Sequence, residues 1–345
     1  MIPIVGYANE LGARCGESLG FKVSSVHTQP YDVQVVRIVS ADPNPDGPGI
    51  IHEEVEAACN GSYPSRFQDY ALGSYGVADL SRETKHDRLA LAATVCPMLA
   101  DRDRQTVLAI GDASNRFHLE LSIDRDGPSL SIMRDEKAGS VRIENKLRIG
   151  HWYHLAASID FISGHAELSF SEVRNGASVN AGSGMLPTQG KLSLSESTKI
   201  YIGAGNAGGT PTALFNGRIE APSLASANGG DLNALDDPLG SGCLAAWDFS
   251  RGIDTDRIFD VGPNALHGYL VNMPTRGVAG PGWSGREMAW RHAPGDYGAI
   301  HFHEDDCHDC RWEDDFVFDV PHDFKSGNYA MRLRCGDDTD YVPFF

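Results

Sequence analysis

The sequence lacks the features of several large protein classes. No apolar run approaches the ~20 residues that a membrane-spanning helix requires, and the first residues, MIPIVGYANELGARCGES, do not place a basic segment before an apolar one as a signal peptide does. Lysine and arginine are scarce, with 29 basic against 47 acidic residues and a formal net charge of −18. Nucleic acids and anionic membranes are bound through clustered cations. The composition therefore argues against both as partners, and we expect a cytoplasmic protein.

The cysteines do not form the pattern of a disulfide framework. The seven cysteines are odd in number and scattered, and only Cys307 and Cys310 lie close together. Small secreted domains instead carry an even set of paired cysteines. We expect most of the remaining cysteines to be reduced and to pack as compact hydrophobic residues.

Long helical periodicity is nearly absent as well. Instead, 38 glycines and 18 prolines separate short runs rich in valine, isoleucine, leucine, tyrosine and phenylalanine. Short alternating segments bounded by turn residues are typical of antiparallel β-structure. We predict an all-β protein in which short helical pieces, such as IHEEVEAAC from residue 51, are minor.

The candidate strands fall into three zones. Residues 1–75 contain the alternating segments SLGFKVSS (18–25) and YDVQVVRIV (31–39), which we predict as neighbouring strands of a sandwich. Residues 80–275 hold a long series of candidate strands with turn signals such as RDGP and ISGH between them. So many strands require two packed sheets, because one open sheet would leave an apolar face exposed.

The last zone, residues 285–345, alternates again in YGAIHFHE, DFVFDV and NYAMRLR and closes with DYVPFF. Each end zone is small for a core of its own. We therefore predict that residues 1–75 and 285–345 together complete one smaller, immunoglobulin-like sandwich. The unit formed by residues 80–275 is then inserted into it.

The middle zone resembles the laminin-G-like, concanavalin-A-like jelly roll. The resemblance is carried, in this order, by QTVLAIGD, FHLELSIDRDGPSLSI, LRIGHWYHLAASID, IYIGAGNAGG and LFNGRIEAPSL. It implies a two-sheet jelly roll for residues 80–275.

Essentially the whole chain resembles the large (beta) subunit of the N,N-dimethylformamidase family. The segments that carry this resemblance include GYANELGARCGESLGFKVSS, LAAWDFSRGIDTDRIFDVGPNALHGYLVNMPTRGVAGPGW and YGAIHFHEDD. The resemblance implies a parent enzyme that hydrolyses the C–N bond of a small formamide to an amine and formate. It also implies a small partner subunit and a mononuclear iron, held by two tyrosines and a glutamate of a C-terminal α/β domain that begins after DYVPFF. On this resemblance the catalytic domain and its iron ligands lie outside this chain.

The segment HFHEDDCHDC, residues 301–310, is the densest cluster of ionisable and metal-ligating side chains. His301 and His303 would share one face of a strand, and Cys307 and Cys310 have the spacing of a structural zinc site, so the four could hold a metal. Alternatively, the histidines alternate with apolar residues and occupy the polar face of a strand that runs into an acidic loop. We favour the second interpretation because a second zinc motif is missing, and we assign this strand to the smaller sandwich.

Other polar candidates carry weaker signals. Glu304 and Asp305 lie near the histidines and could act as acid and base, but neighbouring strand residues point to opposite faces. Asp112, Asp124 and Asp126 lie in turns that could supply oxygen ligands to calcium. Aspartates in turns more commonly accept hydrogen bonds from their own backbone.

Aromatic and glycine motifs also have structural explanations. Trp152, Tyr153 and Trp247 could form a sugar-stacking platform, but the alternation around the two tryptophans favours burial. The GAGNAGG segment (203–209) is not followed by a helix pattern, so we predict a loop between strands and no phosphate-binding loop. No Gly-x-Ser-x-Gly nucleophile elbow follows a strand.

These observations assign no catalytic, cofactor-binding or metal-binding residue to this chain. The first hypothesis is the non-catalytic N-terminal region of a formamidase-like large subunit, which supports a catalytic domain and a small subunit and is expected to form homo-oligomers. The apolar VPFF ending favours it, because such a segment is normally covered or continued. Two alternatives are a stand-alone module that binds carbohydrate or protein, and a metal-dependent hydrolase with its site at residues 301–310.

Overall fold

The computed structural model describes residues 2–80, 82–99, 101–112, 114, 116–174, 177–188, 190–227 and 242–345. The chain forms two compact units. The smaller unit combines both ends of the chain, Met1–Ala71 and Asp309–Phe345, and the larger unit is Leu72–His308. Among the described residues, none of the helical segments has the length and apolarity of a membrane span.

The first strands of the chain belong to the smaller unit. They are β1 (Ile4–Ala8), β2 (Ser18–Ser25), β3 (Tyr31–Ala41), β4 (Ile50–Glu54) and β5 (Gly61–Tyr63).

The larger unit contains the following twenty described strands and one short 3₁₀ helix (Pro294–Tyr297). The strands are β6 (Tyr75–Asp79), β7 (Thr84–His86), β8 (Arg88–Pro97), β9 (Gln105–Asp112), β10 (Phe117–Ile123), β11 (Pro128–Arg134), β12 (Lys137–Arg142), β13 (Tyr153–Asp160), β14 (His165–Glu172), β15 (Asn180–Met185), β16 (Leu192–Leu194), β17 (Thr198–Ile202), β18 (Gly205–Ala207), β19 (Thr210–Thr212), β20 (Gly217–Ala227), β21 (Cys243–Asp248), β22 (Arg257–Asp260), β23 (Gly268–Val271), β24 (Thr275–Val278) and β25 (Ala299–Phe302).

The chain returns to the smaller unit with β26 (Phe316–Asp319), β27 (Tyr329–Cys335) and β28 (Asp338–Phe344). This unit has one sheet of order β1-β2-β26 and a second of order β28-β27-β3-β4, with β5 also on β3. Side chains from both sheets meet in one core, where Phe21 stacks on Phe316 at 5.3 Å between ring centroids and meets Phe344 edge-on at 5.7 Å. Strands from the two ends of the chain therefore share one hydrophobic core.

The larger unit is a long antiparallel sheet folded over its own core. Its strands follow the order β12-β11-β10-β9-β17-β6-β23-β22-β21-β20-β8-β13-β14-β15, and β25 pairs with β20 while β24 pairs with β25. The two ends of this path, β12 and β15, lie against each other. Side chains of β8, β13, β14 and β20 meet those of β9, β10, β11 and β17 in one continuous core. The result is the two-layered arrangement that a series of short alternating strands requires.

Alternation along the strands places one face in the core. In β10, Phe117, Leu119, Leu121 and Ile123 are core residues, and the residues between them point to the other face. Burial of each large apolar side chain contributes roughly 1.5–3 kcal/mol. The all-β class and the insertion of a larger sandwich into a smaller one are confirmed by these elements.

Two local predictions are wrong. The possible helical piece from residue 51 is strand β4 and its continuation, because Ile51 and Glu53 pair with Ser40 and Arg37 of β3. The strand within YGAIHFHE was assigned to the smaller sandwich, but β25 pairs with β20 of the larger unit. Residues 285–308, predicted as part of the smaller sandwich, accordingly belong to the unit Leu72–His308.

Candidate functional site: a polar face of the larger sheet

The candidate site is built on β20, β25, β8 and β13. Ile219, Ile300 and Phe302 are fully buried in the core. Because strand residues alternate, their neighbours Arg218, Glu220 and His301 project from the opposite side. Adjacent strands extend this side through register pairs, and we call it the polar face: Thr94, His154, Arg218, Glu220, His301 and His303.

Two of the three histidines of the polar face, His301 and His303, lie ring against ring with an angle of 33° between them. Their ring centroids are 4.1 Å apart, as predicted for two residues on one strand face. Burial, followed by the neighbouring His303 and Arg218, lowers the pKa of the His301 imidazole to about 4. His301 is therefore neutral near pH 7 and is a weak base.

His303 belongs to a small network with two residues that sequence reasoning did not select. Nδ1 of His303 lies 3.2 Å from Oδ2 of Asp306, and the hydroxyl of the fully buried Ser74 donates to the same oxygen at 2.6 Å. Ser74 also accepts a hydrogen bond from the backbone N–H of His303 at 3.1 Å. In a nucleophilic triad the histidine accepts the serine proton. Here the aspartate lies between serine and histidine, so the network fastens residues 303–306 to the start of β6.

Glu220 is the acid of the polar face, and its carboxyl has a shifted pKa. Burial, followed by the charge of Asp248, raises the pKa of the Glu220 carboxyl to about 7. The backbones of two glycines close over it: a Cβ added at Gly280 or Gly298 would lie 2.3 Å or 2.7 Å from its Oε1 atom. No described residue donates a hydrogen bond to this carboxyl. A carboxyl that is buried without donors favours its neutral form.

A cavity opens on the same side of the sheet. It has a volume of about 580 Å³ and is lined mainly by small side chains, together with Thr94, His154 and Phe170. The Thr94 hydroxyl lies 2.9 Å from Nδ1 of His154, and burial lowers the pKa of that imidazole. Glu220 is not among the lining residues, although its neighbour Ala221 is. The cavity therefore offers hydroxyl and imidazole hydrogen bonds without a charged group in its wall.

The predicted acid pair does not act as a pair. Glu304 forms an ion pair with Arg102, whereas Asp305 is exposed. The carboxylate that contacts the histidine is instead Asp306. Cys307 and Cys310 fall in different units, because the division of the chain runs between residues 308 and 309. No group of three or more histidine, cysteine, aspartate or glutamate side chains in the described ranges is arranged to hold a metal ion.

Two of the three turn aspartates, Asp112 and Asp124, accept hydrogen bonds from nearby backbone N–H groups, whereas Asp126 lies 3.6 Å from the Arg142 guanidinium. Asp112 accepts from the N–H of Arg116 at 3.0 Å. Asp124 accepts from the N–H groups of Asp126 and Gly127 at 2.8 Å and 3.1 Å. These carboxylates stabilise turns in the way that Asx turns do.

The proposed sugar platform is divided between core and edge. Trp247 is buried, and its indole N–H donates to the carbonyl of Leu266 at 2.9 Å. Tyr153 is also buried, and its hydroxyl accepts from the N–H of Arg148 at 3.0 Å. Trp152 is only partly buried. The GAGNAGG segment, predicted as a loop, contains strand β18. This strand forms a short hairpin with β19, which follows the segment.

Sequence reasoning missed Ser74, Asp306 and Glu220 as site residues. Ser74 and Asp306 are 232 positions apart, so no local spacing connects them. Glu220 could have been found as an acid on the polar side of a strong strand. Its burial depends on glycines some 60 and 78 positions later, Gly280 and Gly298, which the strand pattern does not indicate.

The fold defines an all-β protein of two sandwich units. Over its whole length the chain is 33% identical, in 378 aligned residues, to the N,N-dimethylformamidase beta subunit of Paracoccus aminophilus. It is 32% identical, in 376 residues, to the beta subunit from Alcaligenes sp. By sequence the chain is similar to these N,N-dimethylformamidase beta subunits, and it spans about half, 49%, of the length of each of them.

A family model matches the end of the chain and agrees with this similarity. The model described as "N,N-dimethylformamidase beta subunit-like, C-terminal" matches residues 275–345. The matched residues include β24, β25 and the last three strands of the smaller unit. The region that this model describes therefore overlaps the last five strands of this chain.

Solved structures resemble the chain only distantly. Domains LG4-5 of the mouse laminin alpha1 chain match 79% of this chain and 88% of their own, with 12% identity and a TM-score of 0.35. The heptameric SAP-like pentraxin of Limulus polyphemus matches 58% of this chain and 77% of its own, with 12% identity and a TM-score of 0.34. These values are too low to say anything about ligands.

Proposed function

We propose that this chain is the non-catalytic β-sandwich region of a formamidase-like amidohydrolase large subunit. Its role is to support the catalytic domain and to assemble with the small subunit. The parent reaction is hydrolysis of the C–N bond of a small formamide to an amine and formate. The observation that carries the proposal is the alignment of the whole chain with one half of the dimethylformamidase beta subunits.

The contacts around the polar face support a structural role. The buried hydroxyl of Ser74 donates to Asp306 and accepts from the backbone N–H of His303, so it joins the start of β6 to residues 303–306. Burial keeps the imidazole of His301 neutral and weakly basic.

Four tyrosines of this chain are poor candidates for the family's iron. An iron–phenolate bond requires the deprotonated side chain, as other anionic ligands do. Burial raises the pKa of Tyr31, Tyr63 and Tyr201, and it raises the pKa of Tyr7 to about 12. We assign the iron of the parent enzyme to the other half of the subunit, because the resemblance implies that its ligands lie in the domain that begins after DYVPFF.

A chimera tests this proposal. The aligned half of the Paracoccus aminophilus beta subunit is replaced by this chain and co-produced with the small subunit of that enzyme. We expect amine and formate release by the chimera and none by this chain alone. A chimera carrying Ser74→Ala should hydrolyse at the parent rate once its folding is verified. Hydrolysis by the isolated chain, or its loss in the folded Ser74→Ala chimera, would contradict the proposal.

A further inference from the structure

Arg218 of β20 is a partly buried arginine without an acceptor. Its Nε atom is shielded from solvent and bonds to no atom of the described residues, and its guanidinium forms no ion pair with them. By contrast, the partly buried Arg276 donates to four backbone carbonyls, and Arg66 bonds to the carboxylates of Glu313 and Asp315. A buried donor without an acceptor is unfavourable, so the Arg218 guanidinium is suited to bind an added anion.

The acid nearest to Arg218 on the same strand face is not its partner. Glu220 lies two residues further along β20, with its carboxyl beneath Gly280 and Gly298. Burial, followed by the charge of Asp248, raises the pKa of that carboxyl, whereas a guanidinium in contact with it would lower the pKa. The positive charge of Arg218 is therefore not neutralised by the acid of the polar face.

The residues directly across from Arg218 show where its charge acts. Arg218 pairs in register with Cys96 of β8 and with His301 of β25. Opposite residues of neighbouring strands have Cβ atoms roughly 4.5–5.5 Å apart. Burial lowers the pKa of the His301 imidazole, and the charges of His303 and Arg218 lower it further. The guanidinium therefore acts on the His301 imidazole from the neighbouring strand.

A second donor beside Arg218 also lacks an acceptor. Asn216 is 5% exposed, and its Nδ2 group bonds to no atom of the described residues. Its Oδ1 atom accepts from the backbone N–H of Glu304 at 3.0 Å, which fixes the orientation of the amide. Its carbonyl accepts from the N–H of Met98 at 3.0 Å, so the strand pairing continues to Asn216. Because strand residues alternate, Asn216 and Arg218 project from the same side of the sheet.

The charges around Arg218 fit an anion with one negative charge. His301 is neutral near pH 7, and Nδ1 of His303 lies 3.2 Å from the carboxylate of Asp306. Arg218 therefore brings the positive charge of this site that no described carboxylate balances. The planar guanidinium matches the two oxygens of a carboxylate with two parallel N–H groups. A doubly charged oxyanion such as sulfate would keep one uncompensated charge near Asp306.

We propose that Arg218, Asn216 and His301 form a binding site for a small carboxylate anion. The guanidinium of Arg218 binds both carboxylate oxygens, and the amide of Asn216 and the imidazole of His301 donate further hydrogen bonds to them. Arg218, His301 and His303 are partly exposed, so the anion enters from solvent. This inference does not depend on the proposed function, because neither the site nor its test involves hydrolysis.

Titration of the full chain with sodium formate tests the site, with sodium chloride keeping the ionic strength constant at each pH. A ligand of three heavy atoms binds no more tightly than about 1 mM, so millimolar formate is followed through the histidine NMR signals. We expect saturable shifts of the His301 and His303 signals at pH 7. We also expect formate to raise the pKa of His301, because a neighbouring anion favours the imidazolium form. Sodium acetate should bind similarly, and sodium sulfate more weakly.

Variants of Arg218 test the role of the guanidinium. Arg218→Gln should weaken formate binding about 10-fold or more, because it removes two charge-assisted hydrogen bonds. Arg218→Lys should weaken binding less, since it keeps the charge and loses the planar fork. Arg116→Gln is the matched control, because it removes an exposed arginine elsewhere on the larger unit, and it should bind formate as the parent protein does. Circular dichroism and cooperative unfolding verify the fold of each variant.

The remaining outcomes would overturn the carboxylate site. Shifts that do not saturate, or formate binding that is unchanged in folded Arg218→Gln, would show that the guanidinium holds no anion. Tighter binding of sulfate than of formate would contradict a site built for a carboxylate. If Arg218→Gln does not fold, the parent protein decides, because a pKa of His301 that is unchanged at saturating formate contradicts the proposal.

Discussion

Two glutamates of the larger unit have opposite electrostatic environments. Glu220 is buried beneath Gly280 and Gly298 without a hydrogen-bond donor, and its pKa rises to about 7. Glu287 lies in residues 279–298 between β24 and β25, which we call the tryptophan loop. Its carboxylate accepts hydrogen bonds from two backbone N–H groups beside His292, and its pKa falls below its usual range. The difference is set by donors, since hydrogen bonds to the charged form favour it and burial without them disfavours it.

This contrast separates two uses of an acid. The Glu220 carboxyl fills space between the sheet and the ends of the tryptophan loop, so its neutral form suits the packing. The Glu287 carboxylate accepts hydrogen bonds from backbone N–H groups of the loop and so stabilises the loop's shape. Substitutions that remove the charge should therefore act in opposite directions at the two positions.

Removing the charge of Glu220 should have the largest effect. A raised carboxyl pKa in the folded state contributes stability that is full below pH 4.5 and is lost as pH rises through about 7. Glu220→Gln keeps the size and removes this loss, so the variant should exceed the parent protein by up to about 3 kcal/mol at pH 8 and match it near pH 4.5. Urea unfolding at both pH values measures the difference.

The control for this pH effect is Glu167→Gln, which changes an exposed glutamate of β14. Its stability should follow the parent protein at both pH values. Equal stability of Glu220→Gln and the parent at pH 8 would mean that the Glu220 carboxyl is solvated or paired when charged.

The closeness of Gly280 to Glu220 gives the next largest effect. A Cβ at Gly280 would meet the Glu220 carboxyl, which is the end of a flexible and partly buried side chain. We expect Gly280→Ala to destabilise the protein by about 1 kcal/mol, the low end of the cost of overpacking, because the carboxyl can shift. Gly282→Ala is the control, since a Cβ there meets no atom within 4 Å.

A double-mutant cycle sharpens this prediction. Glu220→Ala removes the atoms that the new methyl group would meet, so Gly280→Ala should cost much less in that background. Equal costs in the two backgrounds would mean that the alanine clashes with something other than Glu220. Thermal unfolding of the four proteins gives the coupling energy.

The strands of this fold were largely predictable from local pattern. Segments such as RLALAATVCP and QTVLAIGD coincide with β8 and β9, because alternation and turn residues specify both the element and its buried face. Strand β25 was also predicted as a strand, but its sheet was not. Pairing with β20 depends on residues more than 70 positions away.

The candidate site was less predictable for the same reason. The stacking of His301 on His303 follows from the two-residue period of a strand. The link between Ser74 and Asp306 and the burial of Glu220 arise from long-range packing, which a single sequence does not encode in any local pattern. The tryptophan loop has no strand or helix periodicity, and the hydrogen bonds of Trp283 and Tyr297 to the Glu287 carbonyl follow from no local pattern.

His301 should give a smaller pH effect of opposite sign. Its folded-state pKa is lowered to about 4, so its contribution is full above pH 6.5 and is lost as pH falls through about 4. Because the ring is only half-buried, we expect the loss to be about 1 kcal/mol. His301→Gln should lose less stability than the parent protein between pH 7 and pH 4.5, whereas His308→Gln, at an exposed position, should follow the parent. Greater acid sensitivity of His301→Gln would contradict the assignment.

Glu287 should give the smallest effect on stability and a measurable one on the loop. Its folded-state pKa is lowered, chiefly by the N–H of Ala289, so its contribution is present above pH 4.5 and is lost as pH falls further. Glu287→Gln weakens the hydrogen bonds to Met288 and Ala289 without leaving a gap. We expect faster amide exchange confined to residues 284–292 and almost no change in global unfolding, because the loop packs few core side chains. If these amides are as protected from exchange as in the parent protein, the hydrogen bonds of Trp283 and Asp296 are sufficient to fix the loop's shape. The two glutamates would then differ in the charge of their side chains and not in their effect on the loop.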